Sequence, residues 1–501
     1  MESVLHYLDW TTVGLALLGG LISLLLLEIF QLNASRSRSP PGPKPLPFVG
    51  NLPQLLKDRM SYIKMMPKYG EMCSLYLGSK PTIVLNSMQL AKEVFVQNGA
   101  VSSGRPDLPL VRWINKGYGI VMAQYGHSWR QQRRFTLHTL RDFGLGKKSI
   151  EERVAEEAHY LVKELLKKEG KPFYPIHQFM NAVSNIICSI VFGDRFDFDN
   201  KQFAELLKIM NENVRFSGSA MAQVFNLVPF IKYLPGPQQT MWQNAEHLKR
   251  FIRETVEEHR KTLDPANPRD FIDSYLVEIS RQESNEDSTF HEENMIRTTI
   301  DLFAAGTETT ANTLRWGLIY MMDHPEIQER CHEEIVSVLG FDRSPCMNDR
   351  ARLPFTHATI HEIQRFASIV PLGVVHETTQ PIKLGGYNFP AGTQIMPNLT
   401  AIMTDKDHWK YPDTFNPENF LDEKRQFCKN DSFLPFSLGP RVCLGENLAR
   451  TELFIFFISL IQRLKFSWPP GAPPSNKDGI VGLVRSTMPF NTICRSREIT
   501  N

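Results

Sequence analysis

The spacing of apolar residues along the chain predicts long amphipathic helices. Apolar side chains recur every three or four positions among dense charge, which is the helical period. The segments with this pattern are 150–168, 203–216 and 242–263. The longest predicted helix runs from about Thr289 to Asp323, with acidic residues early and His324-Pro325 at its end. A last helix is predicted from Glu446 to Leu464.

Strand patterns are short and few by comparison. Thr82 to Leu85 is an apolar, β-branched run that follows a turn at 78–81. After Gly385 the chain changes to short strand-like runs separated by proline and glycine. The predicted fold class is therefore mainly α with small β-sheets (α+β).

The N-terminal segment is continuously apolar instead of amphipathic. Thr11 to Leu27 has no charge and is rich in leucine, and it is close to the length that crosses a bilayer. Since no small-residue cleavage site follows it, residues 1–33 are predicted to be a retained anchor, with a buried core helix as the second interpretation. The flanking charges are Glu2 and Asp9 before it, and Arg36, Arg38 and Lys44 after it. This asymmetry predicts that the remaining chain faces the cytosol.

Two other segments define the predicted organisation. Residues 34–47 contain the proline-rich run 40–47, which favours a stiff, non-helical linker. A single catalytic domain is expected over 48–501. Within it, the connection 220–237 is unusually apolar. A surface that contacts a membrane or a partner and ordinary core packing are equally supported for this connection.

Charge and cysteine content exclude several function classes. The 501 residues carry a net charge of +2, which gives no sign of nucleic-acid binding. The seven cysteines are an odd, sparse set without a C-x-x-C pair, which argues against a disulfide framework or a zinc site. The chain contains no G-x-G-x-x-G fingerprint or P-loop, so a nucleotide cofactor is expected on a partner.

The most specific motif is a cysteine loop placed just before the last predicted helix. It reads Phe436-Ser437-Leu438-Gly439-Pro440-Arg441-Val442-Cys443-Leu444-Gly445. Cys443 gains thiolate character from a helix N-terminus and backbone N–H groups. Gly439 and Gly445 permit turns and close approach to a flat ligand. A lone cysteine is usually a buried core residue, but the full F-x-x-G-x-R-x-C-x-G spacing outweighs that interpretation.

This loop resembles that of the cytochrome P-450 superfamily, and the resemblance extends over residues 40–501. It implies the cytochrome P-450 fold, with haem b (iron-protoporphyrin IX) between the central long helix and the cysteine-loop helix. By the resemblance, Cys443 is the axial ligand to iron, Phe436 shields the sulfur and Arg441 pairs with a propionate. A thiolate ligand favours O–O cleavage at haem iron.

Other residues match the family's haem contacts. Trp129 and Arg133 resemble a W-x-x-x-R pair that holds a propionate, and Arg105 and His376 match further propionate contacts. A neighbouring set of basic residues has two interpretations, which are compatible with each other. The residues could form a solvated surface, and they could form a docking surface for an acidic redox partner. That set is Arg130, Arg134, Lys147 and Lys148.

The segment 305–310 lies in the middle of the longest predicted helix. Its sequence AGTETT is poor helix material and resembles the family's oxygen-binding groove, although alone it could be an ordinary kink. The resemblance implies that Thr309 donates to iron-bound dioxygen and that Glu308 helps relay protons. Glu362 and Arg365 match a buried structural E-x-x-R pair, whose usual third member, an arginine, is replaced here by Asn419.

Two further segments narrow the resemblance to vertebrate microsomal family 2. Residues 143–147 and 420–422 match that family, and the tail and the helix after Thr289 are most similar to subfamily-J-like members. The expected substrate-pocket residues, all apolar, are Val121, Met122, Leu302, Phe303, Ala305, Val370, Val374 and Val484.

The resemblance implies a monooxygenase of the unspecific type in the endoplasmic reticulum membrane. It would hydroxylate or epoxidise polyunsaturated fatty acids, such as arachidonic acid, and xenobiotics. NADPH would act indirectly, through NADPH-cytochrome P-450 reductase, with cytochrome b5 as a second candidate partner. The alternatives are a haem-thiolate lipid-peroxide isomerase and a non-catalytic, membrane-tethered haem or lipid-binding protein. Retention of both Glu308 and Thr309 argues against these alternatives.

Overall fold

The computed structural model describes residues 10–144 and 148–497 of the chain. Helices in this part are α1 (Trp10–Arg36), α2 (Leu52–Lys57), α3 (Arg59–Met65), α4 (Met88–Lys92), α5 (Pro109–Asn115), α6 (His127–Asp142), α7 (Lys148–Leu166), α8 (Ile176–Val191), α9 (Lys201–Ser217), α10 (Ala220–Leu227), α11 (Pro237–Thr262), α12 (Phe271–Arg281), α13 (Glu292–Asp323), α14 (Pro325–Leu339), α15 (Pro354–Ala367), α16 (Leu399–Met403) and α17 (Glu446–Arg463). Short 3-10 helices cover Met66–Tyr69, Pro229–Tyr233, Met347–Arg352 and Pro417–Phe420, and Glu93–Gln97 forms a π-helical turn. Strands are β1 (Met72–Leu77), β2 (Lys80–Leu85), β3 (His376–Glu377), β4 (Ile382–Leu384), β5 (Tyr387–Phe389), β6 (Gln394–Pro397), β7 (Leu464–Ser467), β8 (Ile480–Val481), β9 (Arg485–Ser486) and β10 (Ile493–Ser496).

The main core forms where α13 packs against α8 and α17, with α7 beside them. Trp316 and Phe454 are among its fully buried side chains. The start of α13 lies three residues beyond the prediction, because the His291 side chain accepts the Asn294 N–H as the N-cap. Its end at Asp323 agrees, since Pro325 opens α14. The mainly helical fold with small sheets is confirmed.

The largest sheet has the strand order β1-β2-β6-β3. β2 pairs antiparallel with β1 and parallel with β6, with Val84 opposite both Cys73 and Met396. The predicted strand 82–85 is the C-terminal part of β2. This sheet holds His376, at the start of β3, against Ile395 of β6.

The N-terminal helix ends three residues beyond the predicted boundary at residue 33, and the linker after it is packed onto the domain. α1 continues to Arg36, and Thr12–Arg36 is long and apolar enough to cross a membrane. The proline-rich run lies beside β1. Ser74 of β1 donates from N to the Pro41 oxygen at 3.0 Å and from Oγ to the Pro40 oxygen at 2.7 Å. A Cβ on Gly42 would lie 2.0 Å from the Ser74 oxygen. The segment 40–47 is non-helical and is fixed to the body by these contacts.

The apolar connection 220–237 contains both buried and exposed apolar residues. Ala222 and Phe225 of α10 are buried and join a small core cluster with α5 and α11. The opposite side is exposed, and Phe230 and Tyr233 are 67% and 69% accessible. The other exposed apolar residues of this connection are Met221, Val224, Leu227, Val228 and Leu234. Core packing thus explains only one side, and the other presents a continuous apolar surface, which we call the 221–234 surface.

Candidate active site

The cysteine loop is closed by backbone hydrogen bonds at the N-terminus of α17. The N–H of Cys443 donates to the Phe436 oxygen at 3.0 Å, and that of Val442 donates to the Gly439 oxygen at 3.0 Å. Gly439 has a φ of +78°, and a Cβ there would lie 1.8 Å from the Phe95 oxygen. Glycine is therefore required at this position by both conformation and space.

The Cys443 thiol is accessible and yet surrounded by protein atoms. The surrounding protein desolvates the thiol and raises its pKa, which the Gly445 N–H partly opposes. A bound metal cation reverses this preference, since a coordinating thiol is deprotonated. A Cβ on Gly445 would meet no protein atom within 4 Å, and its φ of −93° suits any residue. Nothing within the described chain requires glycine there, so the open space beside it fits a flat ligand.

Two predicted propionate ligands, Arg105 and Arg441, form a buried cationic cluster near this loop. Burial, followed by repulsion from Arg105 and Arg133, lowers the pKa of Arg441 to about 8. Burial and repulsion from Arg133 lower the pKa of Arg105 to about 9. Within the described residues, neither guanidinium has an Asp or Glu partner, and both donate to backbone carbonyls instead. Buried cations without counter-ions fit a ligand that carries carboxylates.

Trp129, Arg133 and His376 complete the same cluster. The Trp129 ring lies 4.1 Å from Cζ of Arg441 and 5.5 Å from Cζ of Arg133, and its Nε1 donates to the Ile120 oxygen at 3.1 Å. Arg133 also donates to the Val442 oxygen in the cysteine loop. His376 Nδ1 lies 2.8 Å from the Ser102 oxygen, and burial holds the pKa of the ring well below its usual range. The predicted haem contacts therefore converge, and together with the thiol they fit haem b.

The centre of α13 presents a hydroxyl and a carboxyl. Thr309 Oγ1 donates to the Ala305 oxygen at 2.7 Å, a back-bond that bends helices. Glu308 is buried, and its Oε1 accepts from Asn312 Nδ2 at 2.6 Å, while its Oε2 has no hydrogen-bond partner among the described residues. Burial raises the pKa of Glu308, although Asn312 and the Arg315 charge oppose the shift.

Asn312 and Arg315 are site residues that the sequence reasoning missed. Arg315 Nη1 donates to Asn312 Oδ1 at 3.1 Å, and its Nη2 donates to Thr487 Oγ1. A polar chain therefore runs from Glu308 through Asn312 to Arg315. The available signal was the spacing, because an amide four residues after a carboxylate lies on the same helix face.

A cavity of about 1230 Å³ lies along α13. Thr309 and Glu308 line it, as do six of the expected pocket residues: Val121, Met122, Ala305, Val370, Val374 and Val484. Leu302 and Phe303 are not among the lining residues: Phe303 is buried in the main core, with its ring 5.9 Å from the Phe192 ring, and Leu302 packs against that core. The α13 residues that line the cavity form a stripe at helical spacing: 297, 300, 301, 304, 305, 308 and 309. Positions 302 and 303 fall outside this stripe.

The buried E-x-x-R pair is completed by the residue that replaces the usual arginine. Arg365 donates to both carboxylate oxygens of Glu362 at 2.7 Å, and both side chains are fully buried. Asn419 Nδ2 donates to the same oxygens at 3.2 and 3.3 Å, and the Asn416 N–H donates to Oε1 at 2.8 Å. The Asn419 amide and the Asn416 backbone N–H therefore donate to Glu362 in place of the usual third arginine.

The predicted basic surface lies on the outer side of α6. Arg130 and Arg134 are exposed there, whereas Trp129 on the same helix is buried. Lys148 is exposed at the start of α7, where its Nζ lies 3.9 Å from a Glu152 carboxylate oxygen. Lys147 lies outside the described residues. The helix therefore turns one side to the haem contacts and a basic side to solvent.

Comparison with known proteins agrees with this geometry. The family model for cytochrome P450 matches residues 40–493. Cytochrome P450 2J2 of Homo sapiens is 46% identical over 465 residues, which cover 92% of this chain and 91% of that protein. Cytochrome P450 2J5 of Mus musculus is 45% identical and covers 90% of each chain. Cytochrome P450 2B4 of Oryctolagus cuniculus is 43% identical over 93% of this chain and 94% of its own length. The chain therefore belongs to the cytochrome P450 family, as a haem b monooxygenase of the family-2 type that fits a subfamily-J-like member.

Proposed function

We propose that this enzyme inserts one oxygen atom of O2 into long lipophilic substrates, including polyunsaturated fatty acids such as arachidonic acid, and xenobiotics. The observation that carries the proposal is the meeting of the large cavity with Thr309 and Glu308 on α13. The six predicted pocket residues that line this cavity are all apolar, so the cavity favours hydrocarbon substrates. Hydroxylation and epoxidation are the expected reactions.

Cys443 is proposed as the axial ligand of the haem iron. When bound, the haem supplies dioxygen binding and O–O cleavage, which a thiolate ligand promotes. The protein holds the sulfur at the N-terminus of α17, where the Gly445 N–H favours the anion. Phe436 lies on the loop itself, 4.9 Å from Cζ of Arg450, where an aromatic ring can shield the sulfur.

The cationic cluster is proposed to hold the two propionates. Arg105, Arg133 and Arg441 bring positive charge to one buried region, and the resulting repulsion is relieved when carboxylates bind. Trp129 and His376 lie in the same cluster, where the Trp129 ring packs on the Arg441 guanidinium and the His376 ring is held by the Ser102 oxygen. These residues would hold the carboxylate side of the haem when it is bound.

Thr309 and Glu308 are proposed to deliver protons. The raised pKa of Glu308 keeps its carboxyl protonated to a higher pH, and the unpartnered Oε2 is free to hold a proton at the cavity edge. Glu308 also lines a second, more open cleft. Solvent in that cleft can return a proton to the carboxyl after each transfer to the Thr309 hydroxyl.

Electrons are proposed to come from NADPH through NADPH-cytochrome P-450 reductase, with cytochrome b5 as a second donor. The basic surface of Arg130, Arg134 and Lys148 is exposed on the outer side of α6 and the start of α7. It suits an acidic partner. Arg133, on the inner side of α6, contacts the cysteine loop, so α6 links the docking surface to the haem site.

We propose that α1 anchors the protein in the endoplasmic reticulum membrane, with the catalytic domain in the cytosol. The apolar helix Thr12–Arg36 supports the anchor. The 221–234 surface would form a second membrane contact, since soluble proteins rarely expose such continuous apolar area.

The proposed function is tested with a fatty-acid panel, reductase and NADPH under labelled dioxygen. Products are expected to gain one labelled oxygen atom, and only when reductase and NADPH are both present. A lipid-peroxide isomerase would convert a peroxide without either, and a binding protein would yield no product.

A further inference from the structure

Arg59 is a half-buried cation that borders two adjoining spaces. It is the first residue of α3, and it lines both the main cavity and the second cleft, whose volume is about 700 Å³. The two spaces have other wall residues in common, including Glu308 and Val484. A group bound to Arg59 would therefore lie against the same cavity that contains Thr309.

Most other basic side chains around the main cavity have acidic partners. The pairs are Arg112 with Asp107, Arg297 with Asp301, and Lys249 with Glu246. Arg59 has no ion-pair partner within the described residues, and its Nη1 donates to the Val481 oxygen at 2.8 Å. Lys80 also lines the cavity, but it is exposed to solvent at the start of β2. Arg59 is thus the partly desolvated cation whose charge is not balanced.

Asp58 and Asp478, two acidic residues of the cleft wall, have other partners. Asp58 accepts the Ser61 N–H at 3.1 Å as the N-cap of α3, and Asp478 pairs with Lys64 at 3.1 Å. Burial lowers the pKa of Arg59, and no neighbouring carboxylate opposes that shift. Arginine nevertheless stays charged at neutral pH. A partly buried charge is costly unless it is paired, so an anion that pairs with Arg59 is stabilised.

We propose that Arg59 binds the carboxylate of a long-chain carboxylic acid whose apolar tail occupies the main cavity. The guanidinium offers a planar fork that matches a carboxylate, and the Val481 carbonyl holds it in place. The tail would extend along the apolar wall toward Thr309. This assignment rests on the proposed function, since it names the substrate group that the same cavity recognises.

The test measures equilibrium binding to the full-length holoenzyme, without reductase or NADPH. Arachidonic acid and its methyl ester are titrated separately, and the change in haem absorption gives each Kd. Arg59→Gln is expected to raise the Kd of the acid about tenfold and to leave that of the ester unchanged, since it removes one charge-assisted contact. Arg59→Lys is expected to retain part of the preference for the acid, because it keeps the charge.

Arg112→Gln is the matched control, because Arg112 lines the same cavity but is paired with Asp107. It is expected to leave the acid-to-ester ratio as in the wild type. Equal weakening of acid and ester by Arg59→Gln would overturn the proposal, as would a wild-type protein that binds both alike. Loss of the preference in Arg215→Gln but not in Arg59→Gln would assign the anchor to the exposed Arg215 of the cleft, against the proposal. Since no turnover is measured, failure of monooxygenation would be seen separately.

Discussion

Asn312 Nδ2 donates to Glu308 Oε1 at 2.6 Å, one helical turn away, and Glu308 Oε2 has no partner in the part of the chain that the structure describes. This bond stabilises the carboxylate, whereas burial favours the neutral acid. The balance sets the pH range in which Glu308 holds a proton for transfer. Asn312 thus adjusts the proposed donor without contacting the reacting oxygen.

Replacing Asn312 should change the pH dependence of coupling, meaning product formed per NADPH. Asn312→Leu removes the bond that lowers the pKa of Glu308, so the protonated form should persist to a higher pH. The alkaline limb of the coupling profile, where coupling falls as pH rises, should therefore shift to higher pH. Asn185→Leu, which removes a buried asparagine of α8 away from Glu308, should leave the position of the limb unchanged. An unmoved limb in Asn312→Leu would contradict the proposed link.

Thr309→Ala should lower product per NADPH and divert electrons to hydrogen peroxide. Dioxygen activation needs proton delivery within hydrogen-bond reach, whereas turnover driven by an added peroxide bypasses it and should change much less. Haem content and substrate binding should stay near wild type. Thr313→Ala is the control, since it removes the same kind of back-bond one turn later. If both routes fall together with haem retention, Thr309 acts only on helix shape.

Glu452 should make stability depend on pH. It is buried in α17, and desolvation raises its pKa to about 8, opposed by Thr310. The folded protein therefore keeps a proton that the unfolded chain releases above about 4.5. Its contribution is fully present below that value and is lost as pH rises toward 8, at roughly 1.4 kcal/mol per pH unit.

Glu452→Gln should make stability depend less on pH, which thermal unfolding midpoints measured between pH 5 and 8 would show. Glu152→Gln changes an exposed carboxylate of α7 and is the control. Equal pH slopes in the wild type and Glu452→Gln would show that Glu452 does not hold the extra proton.

Removing residues 1–33 should leave a folded domain that still associates partly with bilayers. The 221–234 surface exposes Phe230 and Tyr233, and their apolar area partitions into the interface. Phe230→Ser with Tyr233→Ser should release the truncated protein from vesicles in sedimentation. Val96→Ser removes an exposed apolar side chain elsewhere and should not. A truncated protein that is wholly soluble in low salt without detergent would refute the second contact.

The sequence predicted much of this molecule because local patterns set its helices and its cysteine loop. The helical period located α7, α9 and α11 within about five residues, since each buries one face. The residues at their ends located α13 and α17, which are buried over most of their length. The docking of segment 40–47 onto β1 depends on Ser74, which is distant in sequence, so no local pattern signals it.

The side chains that line the cavity also depend on tertiary structure. Leu302 and Phe303 are expected in the pocket, but only one stripe of α13 faces the cavity, and these two residues lie outside that stripe. The role of Arg59 depends on partners in other elements, because Asp478 is taken by Lys64. Charge balance of this kind becomes visible only in three dimensions.

The central claim is that Cys443 ligates the haem iron as a thiolate. The most direct measurement is the absorption spectrum of the reduced, full-length holoenzyme with carbon monoxide, compared with that of Cys443→Ser. Cys428→Ser, which changes an exposed cysteine outside the loop, is the control. The account predicts a strongly red-shifted Soret band in the wild type and the control, and its loss in Cys443→Ser. An unchanged red-shifted band in Cys443→Ser would contradict the ligand assignment.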